Sequence, residues 1–195
     1  MKLPLARVPV ILGLFLALPL AAATLDVQIT NANGAAVQDA VVYALPDGTT
    51  PPVGHKVATM DQKDRTFIPH VLPIQTGTWV EFPNSDDIRH QVYSLSPAKK
   101  FQLPLYKGKL AFPIQFEKSG VVLLGCNIHD QMSAYIVVVD TPYFAKAAAG
   151  KASIEGLGAG AYTVHVWYPE MRAEPKAQRV TVGADDHPSI TFAGK

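Results

Sequence analysis

Nine short runs, apolar or alternating and none longer than seven residues, constrain this chain to β-sheet. They read LDVQIT (25–30), AVVYAL (40–45), TWVEF (78–82), HQVYSL (90–95), AFPIQF (111–116), GVVLLG (120–125), AYIVVV (134–139), YTVHVWY (162–168) and QRVTV (178–182). Alternation puts neighbouring side chains on opposite faces of a strand, and β-branched and aromatic residues suit the pleated surface. Turn-forming stretches separate the runs: NANG, PDG, QTG, KSG and GLGAG. The 16 prolines belong at edges and loops, because proline cannot donate to a ladder. Only YFAKAAA (143–149) hints at a short helix, with a linker as the other reading. A chain of 195 residues that is 48% hydrophobic can fill one or two cores. The expectation is an all-β fold built from β-sandwiches.

Charge is nearly balanced, at a formal net of +1, with no basic run to suggest nucleic acid and no acidic tail. The N-terminus stands apart. MKLPLARVPVILGLFLALPLAAA (1–23) starts basic at Lys2 and Arg7, runs apolar from Val8 to Leu20, and ends in small residues at Ala21 and Ala23. This is the layout of a secretory signal peptide cleaved after Ala23. A membrane anchor would need a longer run than one interrupted by Pro9, Gly13 and Pro19. No lipobox cysteine follows. The expected product is a mature chain from about Thr24, in the periplasm, with no stable membrane insertion after cleavage.

One cysteine, Cys126, is present. It cannot form an internal disulfide, and a lone thiol in an oxidising compartment is a liability unless buried, bridged between chains or bound to metal. Cys126 lies in GVVLLGCNIHDQMSAYIVVV (120–139), with His129 and Met132 following at Cys-x2-His-x2-Met spacing between two apolar runs. Thiolate and thioether ligands select soft metals, imidazole suits copper and zinc, and two His, one Cys and a weak axial Met make a blue-copper set. A second imidazole would come from His90, placed in WVEFPNSDDIRHQVYSL (79–95) where a polar loop gives way to a new strand. Zinc is the competitor, but a structural zinc site favours further Cys or His over Met.

EFPNSDDIRHQVYS followed by FEKSGVVLLGCNIHDQMSAYIVV resembles a cupredoxin, in particular the exported cupredoxins described as methylamine utilization protein-like. RTFIPHVLPIQTGTWVEFPN (65–84) is similar to the opening of the same domain, and the ligand loop has the spacing found in amicyanin. The resemblance covers about half of the mature chain. It implies a Greek-key β-sandwich over residues 55–141 holding one type 1 copper ion on His90, Cys126, His129 and Met132. Many cupredoxins follow the first ligand histidine with Asn, which ties the two ligand loops together; here Gln91 stands there. The ends of the chain, VQITNANGAAVQDAVVYALPDG and GKASIEGLGAGAYTVHVWYP, resemble the two halves of a transthyretin-like or carboxypeptidase regulatory-like sandwich. Residues 24–50 and 146–195 would then form a smaller, discontinuous sandwich with the cupredoxin inserted, the simpler layout being two consecutive domains.

Other candidates carry less chemistry. His70 sits among apolar residues and reads as structural, while His55, His165 and His187 read as surface positions. Asp86 and Asp87 read as a solvated loop pair, since a calcium site needs several more oxygens. The aromatics of HVWYPEM (165–171) read as sandwich core. No Ser/His/Asp order, paired acidic motif or phosphate loop supports hydrolysis, so no catalytic residue is expected. The resemblance implies one-electron transfer with a protein redox partner, a cytochrome or a dehydrogenase, and His129 with Ile128 as the electron port. The alternatives are a periplasmic copper-binding or delivery protein and a metal-free interaction module.

Overall fold

A computed structural model describes residues 22–109 and 112–194. The signal-peptide expectation falls on residues 1–21, outside the described residues, except for its last two alanines. Among the described residues every regular element is a strand, and no helix is long and apolar enough to cross a membrane. The strands are β1 (Ala23–Thr30), β2 (Val41–Pro46), β3 (Val57–Thr59), β4 (Asp61–Lys63), β5 (Thr66–Ile68), β6 (Val71–Gln75), β7 (Trp79–Glu81), β8 (Tyr93–Ser94), β9 (Phe101–Gln102), β10 (Ile114–Gln115), β11 (Gly120–Gly125), β12 (Ser133–Val139), β13 (Phe144–Lys146), β14 (Lys151–Leu157), β15 (Gly160–Trp167), β16 (Gln178–Val182) and β17 (Ser189–Ala193).

The two ends of the chain share sheets. β1 lies between β14, to which it is antiparallel, and β17, to which it is parallel. A second, antiparallel sheet runs β13-β2-β15-β16. Ala23, Leu25, Val27 and Ile29 alternate inward along β1, as the sequence pattern required. They meet Val42 and Ala44 of β2, Ile154 of β14, Val164 of β15 and Phe192 of β17 in one core. Each aliphatic side chain buried in this way contributes about 1.5–3 kcal/mol.

Besides the two-stranded β4-β5 pair, residues 57–139 build two larger sheets, β6-β12-β11-β8-β9 and β10-β7-β3, around a core that includes Ile74, Val80, Phe116, Leu124 and Ile136. β12 is buried on both faces from Ile136 to Val139. Ala134, Ile136 and Val138 point into that core, while Val137 and Val139 meet Val41 and Val71, with Tyr135 and Trp167 beside them, in a third cluster. This accounts for AYIVVV being apolar at nearly every position, where one-sided burial would have produced alternation.

The structure changes one expectation and makes one addition. The YFAKAAA segment is strand: Phe144, Ala145 and Lys146 pair with Tyr43, Val42 and Val41. Seven residues cannot recover the cost of nucleating a helix when a sheet edge is available. The segment ends in a left-handed turn at Ala149 and Gly150 (φ 50° and 72°), where a Cβ on Gly150 would meet the Ile29 carbonyl oxygen at 2.6 Å. The addition is the β4–β5 hairpin. Its two turn residues, Asp64 and Arg65, both have positive φ (53° and 57°), the geometry of a tight hairpin turn that usually uses Asn-Gly.

Candidate metal centre

Two loops converge at one end of the middle sheets. The β11–β12 hairpin closes at the Gly125–Ser133 pair, and residues 126–132 bulge from it. The Met132 N–H donates to the His129 carbonyl at 2.9 Å, which folds the loop back on itself. Gly125 is required here, because a Cβ would lie 2.8 Å from the Tyr93 ring. The other loop runs from Asn84 to His90. Asn84 shapes it by donating from Nδ2 to the Ile88 and Tyr106 carbonyls and accepting from the Asp86 N–H at Oδ1. His90 then exchanges backbone hydrogen bonds with Tyr106, at 2.9 and 3.0 Å.

The loops bring His90, Cys126 and His129 together. Cys126 Sγ lies 3.9 Å from His90 Nδ1 and 4.0 Å from His129 Nδ1, and the three donor atoms all fall within 4.8 Å of one another. The imidazole rings are 4.9 Å apart between centroids. Metal bonds of about 2.0–2.3 Å in a trigonal plane space nitrogen and sulfur donors roughly 3.8 Å apart, so the cluster is close to the size that one metal ion needs. His90 is fully buried, Cys126 is buried and His129 is half-buried. Met132 is buried in the same apolar cluster as Cys126 and shares with it the wall of an open cavity also lined by Tyr93 and Leu123.

Gln91 bridges the two loops. Its Oε1 accepts from Asn127 Nδ2 at 2.5 Å and its Nε2 donates to the Leu103 carbonyl at 2.9 Å, so one side chain joins the two loops and the segment just after β9.

Asp86 is the residue that sequence reasoning missed. It is not solvated. Its side chain is only 13% exposed, and its Oδ2 lies 2.7 Å from His90 Nε2. The same carboxylate accepts from the backbone N–H groups of Asp64 (2.7 Å) and Arg65 (2.9 Å) in the hairpin turn. The Arg65 N–H, with the His90 ring and the Asp64 N–H, holds the Asp86 carboxyl below the usual carboxylate range against its desolvation. Asp87, by contrast, is exposed and reaches only Lys107, at 3.4 Å. Beneath the loop the Tyr106 hydroxyl donates to the Phe82 carbonyl and accepts from buried Gln62. Burial pushes the Tyr106 phenol up to about 12.

The other histidines lie away from the cluster. His70 is about half exposed and pairs with Asp39 at 3.0 Å. His165 stacks on Tyr43 and lies 3.5 Å from Glu174. Of the HVWYPEM aromatics, Tyr168 is in the core of the terminal sheets and Trp167 abuts β12.

No family model and no curated protein matches the sequence. Among solved structures, the chain is similar to a purple cupredoxin from Nitrosopumilus maritimus, at 23% identity over 42% of this chain and 99% of that one, with a TM-score of 0.38. It is similar to a copper-containing nitrite reductase from Thermus scotoductus, at 26% identity over 50% of this chain and 26% of the reductase, with a TM-score of 0.40. A reduced amicyanin variant matches at 19% identity over 50% of this chain and 99% of its own length, with a TM-score of 0.40.

Proposed function

We propose that this chain is an exported cupredoxin, a periplasmic carrier that passes single electrons through one type 1 copper ion. The observation that carries the reading is the convergence of two imidazoles and one buried thiol from loops 36 residues apart, with all donor atoms within 4.8 Å. Two His and one Cys in a trigonal set, with a weak thioether, suit copper. The fourth donor on the loop is Met132, and a thioether is a poor substitute for the fourth Cys or His of a structural zinc site.

Copper supplies the one-electron Cu(II)/Cu(I) couple. The residues of the chain do the rest. His90 and Cys126 are buried, so water is kept from the donors. The hairpin closure at Gly125–Ser133 and the Gln91–Asn127 bond hold the two loops at a fixed separation. His129 is the half-buried member, beside Ile128, which is exposed; this edge is the electron port to a protein redox partner such as a cytochrome or dehydrogenase. Four protein donors leave no position for substrate, which makes the protein a carrier rather than an enzyme. Residues 24–50 and 146–195 form a regulatory-like sandwich that steadies or docks the copper domain of residues 55–141. The pairing of β1 with β14 and β17, and of β2 with β15, supports this division.

The test is a visible spectrum of the exported protein titrated with Cu(II), beside Cys126→Ser. An intense band near ~600 nm in the wild type, absent from Cys126→Ser, is the expected result. A folded wild-type protein without that band overturns the reading and leaves Cu(I) delivery or a metal-free interaction module.

A further inference from the structure

The Asp86 carboxylate faces the site from behind. His90 points Nδ1 at the Cys126 sulfur, 3.9 Å away, and Nε2 at Asp86 Oδ2, 2.7 Å away. An ionised carboxylate can only accept hydrogen bonds, so the Nε2 position carries the ring proton and Nδ1 is left with its lone pair directed into the cluster. Asp86 is itself fixed by donors that cannot rotate away, the backbone N–H groups of Asp64 and Arg65. Both residues adopt left-handed backbone, which costs roughly 1–2 kcal/mol each in a residue with a Cβ. The turn thereby aims two successive N–H groups at one carboxylate, the concave arrangement that favours anions. A third contact fixes the backbone of the loop itself, the Asp86 N–H donating to Asn84 Oδ1 at 3.0 Å.

We propose that Asp86, clamped by the Asp64–Arg65 hairpin turn, is the positioning residue of the metal centre: it sets the His90 tautomer and strengthens His90 as a donor to the oxidised metal. This builds on the copper reading above and adds a carboxylate–imidazole–metal relay anchored in a hairpin outside both ligand loops. A carboxylate on the far nitrogen makes an imidazole more basic, and a more basic donor favours Cu(II) over Cu(I). Asp86 therefore lowers the reduction potential. The side chains of Asp64 and Arg65 play no part in this; their backbone N–H groups do.

The experiment uses the full exported chain with Asp86→Asn, Asp86→Ala and, as a control, Asp87→Asn, each checked by thermal melting. In the metal-free protein, long-range 15N–1H NMR of His90 reads the tautomer. The wild type and Asp86→Asn, which keeps an acceptor oxygen, should show the proton on Nε2, and Asp86→Ala should show a mixture. A wild-type His90 protonated on Nδ1 overturns the proposal whether or not copper binds. Competition titrations then give both copper affinities. Both Asp86 variants should lose about 10–100-fold in Cu(II) affinity and distinctly less in Cu(I) affinity. Each tenfold difference between the two losses raises the potential by about 59 mV. Asp87→Asn should change neither. Equal losses for the two oxidation states, or no loss, would mean that Asp86 only braces the loop. A wild type lacking the blue band sinks the copper reading alone, because the tautomer is measured without metal.

Discussion

At the scale of single residues, the His-Cys-His cluster was legible and its supports were not. His90, Cys126 and His129 could be read because a lone thiol at short spacing from an imidazole is a recognisable soft-metal pattern, and the structure gathers them within 4.8 Å. Asp86 could not be read, because its partners are a buried histidine and two backbone N–H groups supplied from 21 and 22 residues away. Gln91 was visible as a departure, but only the structure shows that the longer amide still reaches Asn127. That bond is exposed, so Asn127→Ala should cost under about 1 kcal/mol by denaturant melting. It should nevertheless let a chelator strip bound metal several-fold faster, measured by stopped-flow absorbance. Tyr106 gives a pH prediction. Burial raises its phenol to about 12, so folding favours the protonated form. The unfolded phenol ionises near pH 10, and stability due to Tyr106 is present below that pH and lost as pH rises toward about 12. Tyr106→Phe should flatten this alkaline decline, while costing about 1–3 kcal/mol at neutral pH because Gln62 Nε2 loses a buried acceptor. Urea melts of both proteins across pH 8–12 check both effects.

At the scale of elements, pattern told strand from helix better than it told one buried face from two. β1 alternates and was plain, whereas the continuous apolar run of β12 becomes intelligible only once the cluster of Val41, Val71, Val137 and Val139 is seen. Ile136→Ala and Val137→Ala should both destabilise, by about 2–4 and 1–2 kcal/mol, through different cores. Their effects should add in the double variant to within about half a kcal/mol, since neighbours on a strand face opposite ways. The β4–β5 hairpin escaped notice because its turn is Asp-Arg, without the glycine that marks such turns. Replacing Asp64–Arg65 with Asn-Gly relieves two left-handed residues and keeps both N–H groups on Asp86. The variant should melt higher, gaining about 1 kcal/mol, with its visible spectrum unchanged.

At the scale of the whole molecule, an all-β architecture followed from short runs and turn residues, while the pairing of distant ends was suggested only by the resemblance of the two end segments to halves of one sandwich. A chain ending at Thr141 would keep β1 and β2 but lose β13 to β17, leaving Leu25, Val27, Ile29 and Val42 uncovered. Such a truncation should aggregate, seen as loss of the monomer peak in size exclusion, where the full chain elutes as a discrete species. The same pairing has a consequence in time. Val27 of the first strand meets Ala152 and Ile190, which the ribosome adds more than a hundred residues later. At about 5–20 residues per second, β1 waits on the order of ten seconds for its neighbours. Until the last strand is made, β1 lacks one of its two sheet neighbours, so its apolar face waits uncovered through most of synthesis.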